Sequence, residues 1–297
     1  MAYPLVSVLT NTYNRSDLIH RCIESIEHQT YQNYEHIIVD GNSTDDTEDV
    51  VKSYNDPHIV YIKLNERGPE IQMRAGFNVS KGKYVTFLDD DDEYLPEKLE
   101  KQVAFFENSP DDIGLIYCWM TYYNNNKPNK PISIHNPKYK GDVADISVSD
   151  AIICGTPTMM VRRDVFDKAG GTFDDSSGKI GSDWELFARV CQLCKVDYIP
   201  ESLIKVYVHH GHARLSTDFY NEQAKKDIMF HEKFLKNFQD NFIRHPEFRR
   251  IHYYMMCLGY ATLGDKQTAW QYYSRMLRSK PSLKCLLRPL IKLFINK

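Results

Sequence analysis

The sequence predicts an α/β fold, a mostly parallel sheet covered by helices on both faces, followed by an all-helical C-terminal module. Over residues 5–120, short continuous apolar runs alternate with segments of helical periodicity, which is typical of strands buried on both faces. From about residue 218 only helical patterns remain. At 297 residues the chain has room for two domains, and we predict them at residues 1–217 and 218–297.

The predicted elements follow one another closely. The strands are residues 5–9, 36–39, 59–64, 84–88 and 113–120, and the helices are residues 17–28, 44–54, 71–79 and 97–108. In the first helix apolar residues recur at spacings of three and four, and Ser16 precedes it as a candidate N-cap. The polar stretch at residues 122–133 is predicted to be a loop.

Polar residues cluster where predicted strands end. The first polar segment (residues 10–15), the second (residues 40–46) and the third (residues 89–92) each follow an apolar run. In open α/β sheets ligands bind beyond the carboxyl ends of the strands. The three polar segments are therefore predicted to converge on one crevice.

The overall charge is nearly balanced but unevenly distributed. The 37 basic and 40 acidic residues give a net charge of −3, yet the last twenty residues hold six basic and no acidic side chains. The acidic remainder argues against a nucleic-acid-binding protein. Because we find neither a membrane-spanning run nor a signal peptide, we expect a cytoplasmic protein. The scattered cysteines fit a reducing compartment, and we interpret Cys191 and Cys194 as part of a helix face rather than a metal site.

Four consecutive carboxylates stand in the sequence FLDDDDEY, residues 87–94. Such a concentration of charge favours a cation, and Mg²⁺ or Mn²⁺ binds one or two carboxylates together with substrate phosphates. The alternative is a solvated acidic loop that stabilises the start of the next helix. The residues alone leave both interpretations open.

The second polar segment places Asp40 at a strand end, followed by Gly41 for a tight turn and Thr44 as a candidate helix cap. Asp40 could accept hydrogen bonds from a base or a ribose, but such residues are also common in turns. No phosphate-binding P-loop, dinucleotide fingerprint or nucleophile elbow follows a predicted strand. Kinase, dehydrogenase and hydrolase functions are thereby disfavoured.

Five blocks, spread over about residues 4–216, resemble in their order and spacing the family-2 inverting glycosyltransferases of GT-A fold, of the bacterial surface-polysaccharide type. The blocks are VSVLTNTYNR, VDGNSTDDT, GKYVTFLDDDDEY, GTPTMMVRRDVFDKAGGTFDD and GSDWELFARV. The resemblance implies transfer of a sugar from a nucleoside diphosphate sugar, with UDP as the expected nucleotide, to a hydroxyl of a glycan or lipid-linked acceptor. It also implies Mn²⁺ or Mg²⁺ as cofactor.

The same resemblance implies roles for individual residues. Asp183 is the expected general base, with Trp184 on the acceptor side. Ser182 and Gly41 stand where many members of the family have acids. The expected metal ligands are Asp91, Asp89 and His210, with His212 as second choice. The expected donor-binding residues are Thr10, Tyr13, Arg15, Asp40, Arg74, Asp89, Asp90 and Arg214.

The C-terminal module ends in a basic amphipathic segment. Residues 254–281 resemble one tetratricopeptide hairpin, which we interpret as a helical appendage and a candidate homo-oligomer surface. Beyond it, Lys284, Arg288 and Lys292 recur every fourth residue opposite an apolar face. This pattern predicts a helix that lies on the anionic inner face of the cell membrane, with a core-packing helix as the alternative.

Two other functions remain open at this point. A sugar nucleotidyltransferase shares a similar sheet and acidic metal site, but it needs a Gly-rich basic loop after the first strand, which TNTYNRSD does not supply. A catalytically inactive glycan-binding or scaffold protein would have no need of the acids at positions 89, 91 and 183.

Overall fold

The computed structural model of the chain describes residues 5–150, 152–153, 155–172, 182–208 and 220–278. The chain divides into two compact units. The sheet unit comprises Met1–Val143, Ile152–Phe173 and Arg189–His212, and the helical unit comprises Ala144–Ala151, Asp174–Ala188 and Ala213–Lys297. A boundary between residues 217 and 218 stays a prediction.

Strands and helices alternate in the sheet unit. Its strands are β1 (Val6–Thr12), β2 (Tyr34–Asp40), β3 (Ile59–Lys63), β4 (Tyr84–Phe87), β5 (Glu93–Tyr94), β6 (Ile113–Asn124), β7 (Lys127–His135), β8 (Met159–Arg162) and β9 (Lys195–Val208). Its helices are α1 (Ile19–Glu27), α2 (Thr47–Ser53), α3 (Pro69–Val79), α4 (Lys98–Glu107) and α6 (Arg163–Lys168). The helical unit holds α5 (Ala144–Ser147), α8 (Tyr220–Asn237), α9 (Gln239–Arg244), α10 (Arg249–Thr262) and α11 (Lys266–Leu277), while α7 (Ser182–Cys191) spans the division.

The sheet has the strand order β3-β2-β1-β4-β8-β6-β9-β5, with β7 paired to β6. The pairs β3-β2, β2-β1, β1-β4 and β6-β9 are parallel, whereas β8 and β5 run antiparallel to their neighbours. The predicted α/β class with C-terminal helices is confirmed. The sheet is mixed, because the strands after β4 add antiparallel pairs to a parallel first half.

Neighbouring side chains of β2 pack on opposite sides of the sheet. Ile38 clusters with Ile19 and Ile23 of α1. Val39 lies against α3 at Gly76, where a Cβ would stand 3.1 Å from the Val39 methyl group. The glycine therefore lets α3 approach the sheet closely, and helices cover both faces as the apolar runs predict.

The prediction of a loop at residues 122–133 is wrong. Residues 113–124 form β6, and β7 returns beside it as an antiparallel edge strand. Every residue of β7 is exposed, so the strand carries no apolar alternation. Pro128 and Pro131 are compatible with a strand that pairs on one side only.

The predicted caps of the first two helices are also wrong. α1 begins at Ile19, after Leu18, without a side-chain cap. Ser16 instead contacts the second polar segment, where its backbone N–H donates to Asp45 Oδ2 at 3.1 Å. α2 begins only at Thr47, after Asp46 rather than Thr44. In both places contacts between loops replace local capping.

Cys191 is the last residue of α7, whereas Cys194 lies beyond the helix, so the helix-face interpretation is right for Cys191 and wrong for Cys194. The described cysteines are all free. Burial raises the pKa of the Cys191 thiol well above its usual value and that of Cys194 to about 12. Both side chains therefore remain protonated thiols near neutral pH and act as small apolar groups.

A lysine is fully buried under the sheet. The Lys98 amine donates a hydrogen bond to Thr86 Oγ1 at 2.8 Å and lies 3.7 Å from the centre of the Tyr94 ring. Burial lowers the pKa of this amine to about 7. Since a lysine in the unfolded chain titrates near 10.5, folding near neutral pH has to remove a proton from Lys98 or bury its charge.

We expect Lys98→Met to raise the free energy of unfolding by about 2 kcal/mol at pH 7, because it removes this cost and keeps the side-chain volume. Between pH 7 and 10.5 the unfolded state binds the proton and the folded state does not, so wild-type stability rises with pH by about 1.4 kcal/mol per unit. The gain should therefore shrink in denaturant titrations at pH 9. An equal gain at both pH values would contradict this assignment.

Aromatic side chains and two histidines form the core of the helical unit. Trp184 stacks on His252 with ring centres 5.1 Å apart and contacts Phe234 at 4.9 Å, and its indole N–H donates to the Ser147 carbonyl. The Nδ1 atoms of His231 and His252 lie 2.9 Å apart. Burial lowers the pKa of His231 to about 2 and that of His252 to about 4, so both rings are neutral.

The proton positions of the two histidines follow from their partners. His252 Nε2 lies 2.8 Å from the Val148 carbonyl oxygen, which can only accept, so Nε2 carries the hydrogen. The Nδ1 atom of neutral His252 is then an acceptor, and His231 donates to it from its own Nδ1. A proton added to His252 Nδ1 would set two N–H groups against each other, and a proton added to His231 Nε2 would place a charge on a buried ring.

The helical hairpin predicted near the C-terminus is present. Gly264 has a φ of +82° between α10 and α11, and Asp265 caps α11 by accepting from the Thr268 N–H. The basic amphipathic segment at residues 282–297 lies outside the described residues. Within the described ranges, no helix combines the length and the apolar composition that crossing a bilayer requires.

Candidate active site

Hydrogen bonds join the first polar segment to the second. The backbone N–H of Asn14 donates to Ser43 Oγ at 2.8 Å, and the Asn14 side chain accepts from the Thr44 N–H at 2.8 Å. The backbone N–H of Arg15 donates to Thr47 Oγ1 at 3.0 Å. The loops after β1 and β2 thus form one connected wall at the carboxyl ends of these strands.

Asp40 is fully buried at the end of β2. Its two carboxylate oxygens accept from the Ser43 N–H at 2.7 Å and from the Tyr61 hydroxyl at 2.5 Å. Beside it, the Gln72 amide of α3 donates to the main-chain carbonyls of Thr12 and Val39. Asp40 therefore holds the backbone of the second polar segment in place through Ser43. A contact between Asp40 and a nucleotide stays a prediction.

The third polar segment brings carboxylates together. Asp89, Asp91 and Asp92 each offer an oxygen within 4.8 Å of the others. Asp89 is exposed, Asp91 half-buried and Asp92 buried, so the group opens toward solvent on one side. Three carboxylates at this spacing suit a hard divalent cation, whose remaining ligands would be water or phosphate oxygens.

Asp90 points the other way. Its side chain is buried, and Arg15 Nε lies 3.6 Å from Asp90 Oδ1. Burial and the charge of Asp91 raise the pKa of the Asp90 carboxyl to about 7. The ion pair links the first polar segment to the third, so all three polar segments meet, as the strand order predicts.

Arg21 is a site residue that sequence reasoning missed. Its guanidinium donates to the Asp91 carbonyl at 3.1 Å and to Asn125 Oδ1 at 2.8 Å, and it stacks 3.8 Å from the centre of the Tyr207 ring. Arg21 stands in the first turn of α1, where a cation on an amphipathic helix looks like an ordinary surface residue. No sequence signal marks its contact with the acidic segment.

The sequence did not predict the hydrogen bond between Asp92 and Tyr207. Asp92 Oδ1 accepts from the backbone N–H of Tyr207 at 2.9 Å, which ties the end of β9 to the third polar segment. The available signals were the four-acid run itself and the position of Tyr207 just before a histidine-rich block, residues 209–214, which holds three histidines. The predicted residues of that block, His210, His212 and Arg214, lie outside the described residues.

The other residues predicted to bind the donor differ in how exposed their side chains are. Tyr13 is half-buried, and the guanidinium carbon of Arg67 lies 4.2 Å from the centre of the Tyr13 ring. Arg74 is exposed on α3. Thr10 is fully buried, and its hydroxyl lies 3.0 Å from His36 Nε2. A contact between Thr10 and a ligand would thus have to use its backbone.

Asp183 is exposed in the first turn of α7, within the helical unit. Trp184, the next residue, packs into the aromatic core of that unit. The described contacts of Trp184 are therefore those of a packing residue, and its predicted place beside an acceptor stays a prediction.

The family model described as Glycosyl transferase family 2 matches residues 7–170. An uncharacterised glycosyltransferase of Rickettsia prowazekii is 29% identical over 209 residues, which cover 69% of this chain and 64% of that protein. The chain thus spans less than two thirds of that relative's length. WfaP of Escherichia coli, a UDP-Glc:alpha-D-GlcNAc-diphosphoundecaprenol beta-1,3-glucosyltransferase, is 36% identical over 120 residues. These residues cover 40% of this chain and 46% of the length of WfaP.

Solved structures share the fold. TarS 1–349 of S. aureus, in complex with UDP-GlcNAc, aligns with a TM-score of 0.63 at 16% identity, over 92% of this chain and 88% of that one. The mannosyltransferase PcManGT of Pyrobaculum calidifontis, in complex with GDP-Man and Mn²⁺, aligns with a TM-score of 0.60 at 16% identity. The alignment covers 100% of this chain and 89% of PcManGT. At such identity the likeness shows the fold.

Proposed function

Because this chain belongs to glycosyltransferase family 2 and is a glycosyltransferase, we propose a specific reaction for it. The chain transfers a sugar from a nucleoside diphosphate sugar, with UDP as the first nucleotide to test, to a hydroxyl of a glycan or lipid-linked acceptor in polysaccharide biosynthesis. Transfer inverts the anomeric carbon. The family match favours this reaction over nucleotidyl transfer.

The proposal depends most on the carboxylates of Asp89, Asp91 and Asp92, gathered beside the two connected loops. These residues would hold Mn²⁺ or Mg²⁺ through oxygen ligands. When bound, the ion offsets the negative charge that develops on the departing diphosphate. The complex of PcManGT with GDP-Man and Mn²⁺ supports this ligand chemistry.

The protein's own groups prepare the donor and the acceptor. Arg15 and Arg21 are held at the acidic segment by their ion pair and hydrogen bonds, so they limit repulsion between its carboxylates and an incoming diphosphate. Asp183 accepts the proton of the acceptor hydroxyl. The hydroxyl oxygen attacks the anomeric carbon, and the electron pair of the breaking C–O bond leaves with the diphosphate. A single displacement of this kind inverts the configuration.

The experiment that tests the reaction is nucleotide release. The purified chain is incubated with Mn²⁺, with UDP-glucose, UDP-GlcNAc or GDP-mannose, and with or without a diphosphoundecaprenol-linked GlcNAc acceptor. At least one donor should release its nucleoside diphosphate faster when acceptor is present, and EDTA should stop the release. No release from any donor would contradict the proposal.

Asp91→Asn should lower this release by about 100-fold, because the variant removes one charged ligand from the metal site. It should also abolish the Mn²⁺-dependent part of UDP binding in calorimetry. Asp111→Asn is the matched control, since Asp111 is an exposed carboxylate of the same unit. Equal activity of the two variants would remove Asp91 from the metal site.

Three further features belong to the proposal. The basic sequence after residue 278 supports peripheral binding of the protein to the inner face of the cell membrane, because the anionic surface attracts Lys and Arg. The similarity to WfaP supports a lipid-linked acceptor. The hairpin of α10 and α11 is the surface we assign to homo-oligomer formation.

A further inference from the structure

A groove with a volume of about 720 Å³ lies in the helical unit, beside the start of α10 and the end of α11. We call it the arginine groove and define it by Arg249, Arg250, Arg275, Arg278, Tyr253 and Glu247. The described residues that line it bring four guanidinium groups and one carboxylate together, and none of them is a lysine. The site does not depend on the donor or base residues proposed above.

One carboxylate, that of Glu247, lies among the four arginines that line the groove. Glu247 already lies 3.4 Å from His245 Nδ1. Among the residues that the structure describes, Arg249, Arg275 and Arg278 form no ion pair with a carboxylate. The like charges of Arg249, Arg275 and Arg278 repel one another, and a bound anion would relieve that repulsion.

Arg249 and Arg250 begin α10 directly after the 3-10 turn Pro246–Phe248, which holds Glu247. Their side chains line the groove from this end of α10, and those of Arg275 and Arg278 line it from the end of α11.

Aromatic rings hold two guanidinium groups in place. The Arg249 guanidinium carbon lies 5.7 Å from the centre of the Phe242 ring, and that of Arg275 lies 5.0 Å from the Tyr272 ring. Tyr272 is itself stacked on Tyr260, with ring centres 5.6 Å apart. Such stacking keeps a guanidinium in a defined orientation and leaves N–H groups for paired hydrogen bonds to oxyanions.

We propose that the arginine groove is a binding site for phosphoryl groups. Arginine forks match the paired oxygens of a phosphate ester or diphosphate better than lysine does, which agrees with the arginines that line the described part of the groove. The phosphoryl group can belong to a soluble diphosphate or to the headgroup of an anionic lipid, and the test separates these sources.

The test measures two probes with the full chain in EDTA, which suppresses binding at the metal site. One probe is inorganic pyrophosphate, followed by calorimetry. The other is a phosphatidylglycerol vesicle, compared with phosphatidylcholine, followed by sedimentation. The variant is Arg249→Gln with Arg275→Gln, and the control is Lys225→Gln with Lys236→Gln, which removes two exposed charges from α8. Circular dichroism verifies that both are folded.

We expect wild type and control to bind at least one probe within twofold of each other, and the arginine variant to bind it roughly tenfold more weakly. Pyrophosphate binding would identify a soluble diphosphate as the source, and binding to anionic vesicles alone would identify a lipid headgroup. Failure of wild type to bind either probe would overturn the proposal, as would equal binding by the arginine variant or equal loss in the control.

Discussion

Asp183→Asn is expected to lower kcat for sugar transfer by roughly 1000-fold while the affinity for the nucleotide stays within twofold. A general base contributes about 10²- to 10⁴-fold to a proton transfer, and asparagine keeps the shape of the side chain without its basicity. The carboxylate stands in the first turn of α7. Donor binding, which we assign to the sheet unit, should therefore survive.

Asp240→Asn is the control for Asp183→Asn. Asp240 is likewise exposed in the first turn of a helix, α9, and belongs to the same unit. Both variants lose the same favourable contact with a helix amino end, so only Asp183→Asn should lose transfer. Loss of UDP binding with Asp183→Asn, or retention of full transfer, would remove the base role from Asp183.

Acidification from pH 7.5 to 5.0 is expected to lower the free energy of unfolding of the helical unit by about 4 kcal/mol through His231 and His252. Both folded pKa values lie below the value of 6.5 for an exposed histidine. Below pH 6.5 the unfolded state therefore binds two protons that the folded state excludes. Stability falls as the pH falls, by about 1.4 kcal/mol per unit for each ring.

The pH effect is measured by denaturant titration at the two pH values, with tryptophan fluorescence reporting on Trp184 in the aromatic core. Replacing both histidines by glutamine should lower stability at pH 7.5 and flatten its dependence on pH. His28→Asn, at an exposed position of the sheet unit, should leave the dependence unchanged. A slope that persists in the double variant would assign the acid sensitivity to other groups.

Local patterns were sufficient for much of the fold. The apolar runs at β1, β2 and β4 are continuous because these strands are covered on both sides. The polar segments after them were predicted to meet, and the contacts of Asn14 and Arg15 bring them together. Parallel strands place their carboxyl ends at one edge, so order along the chain was enough for this prediction.

Residues whose roles depend on distant partners could not be predicted. Arg21 contacts an acidic segment 70 positions away. β7 is exposed along its whole length, so neither of its faces packs on the core and no buried positions mark it in the sequence. Thr10 and Trp184 were named as site residues, whereas their described contacts are with the core. In each case, packing between elements decides where the side chain points, and packing leaves no short-range pattern.

The hydrogen bonds between the loops after β1 and β2 have a thermodynamic consequence for recognition. Ordering a free residue costs about 1–2 kcal/mol of backbone conformational entropy. Here Asn14, Ser43 and Thr44 are already held by one another, so that cost is met during folding. The nucleotide that we propose to bind here would then encounter a preformed surface, and more of its contact energy would remain as affinity.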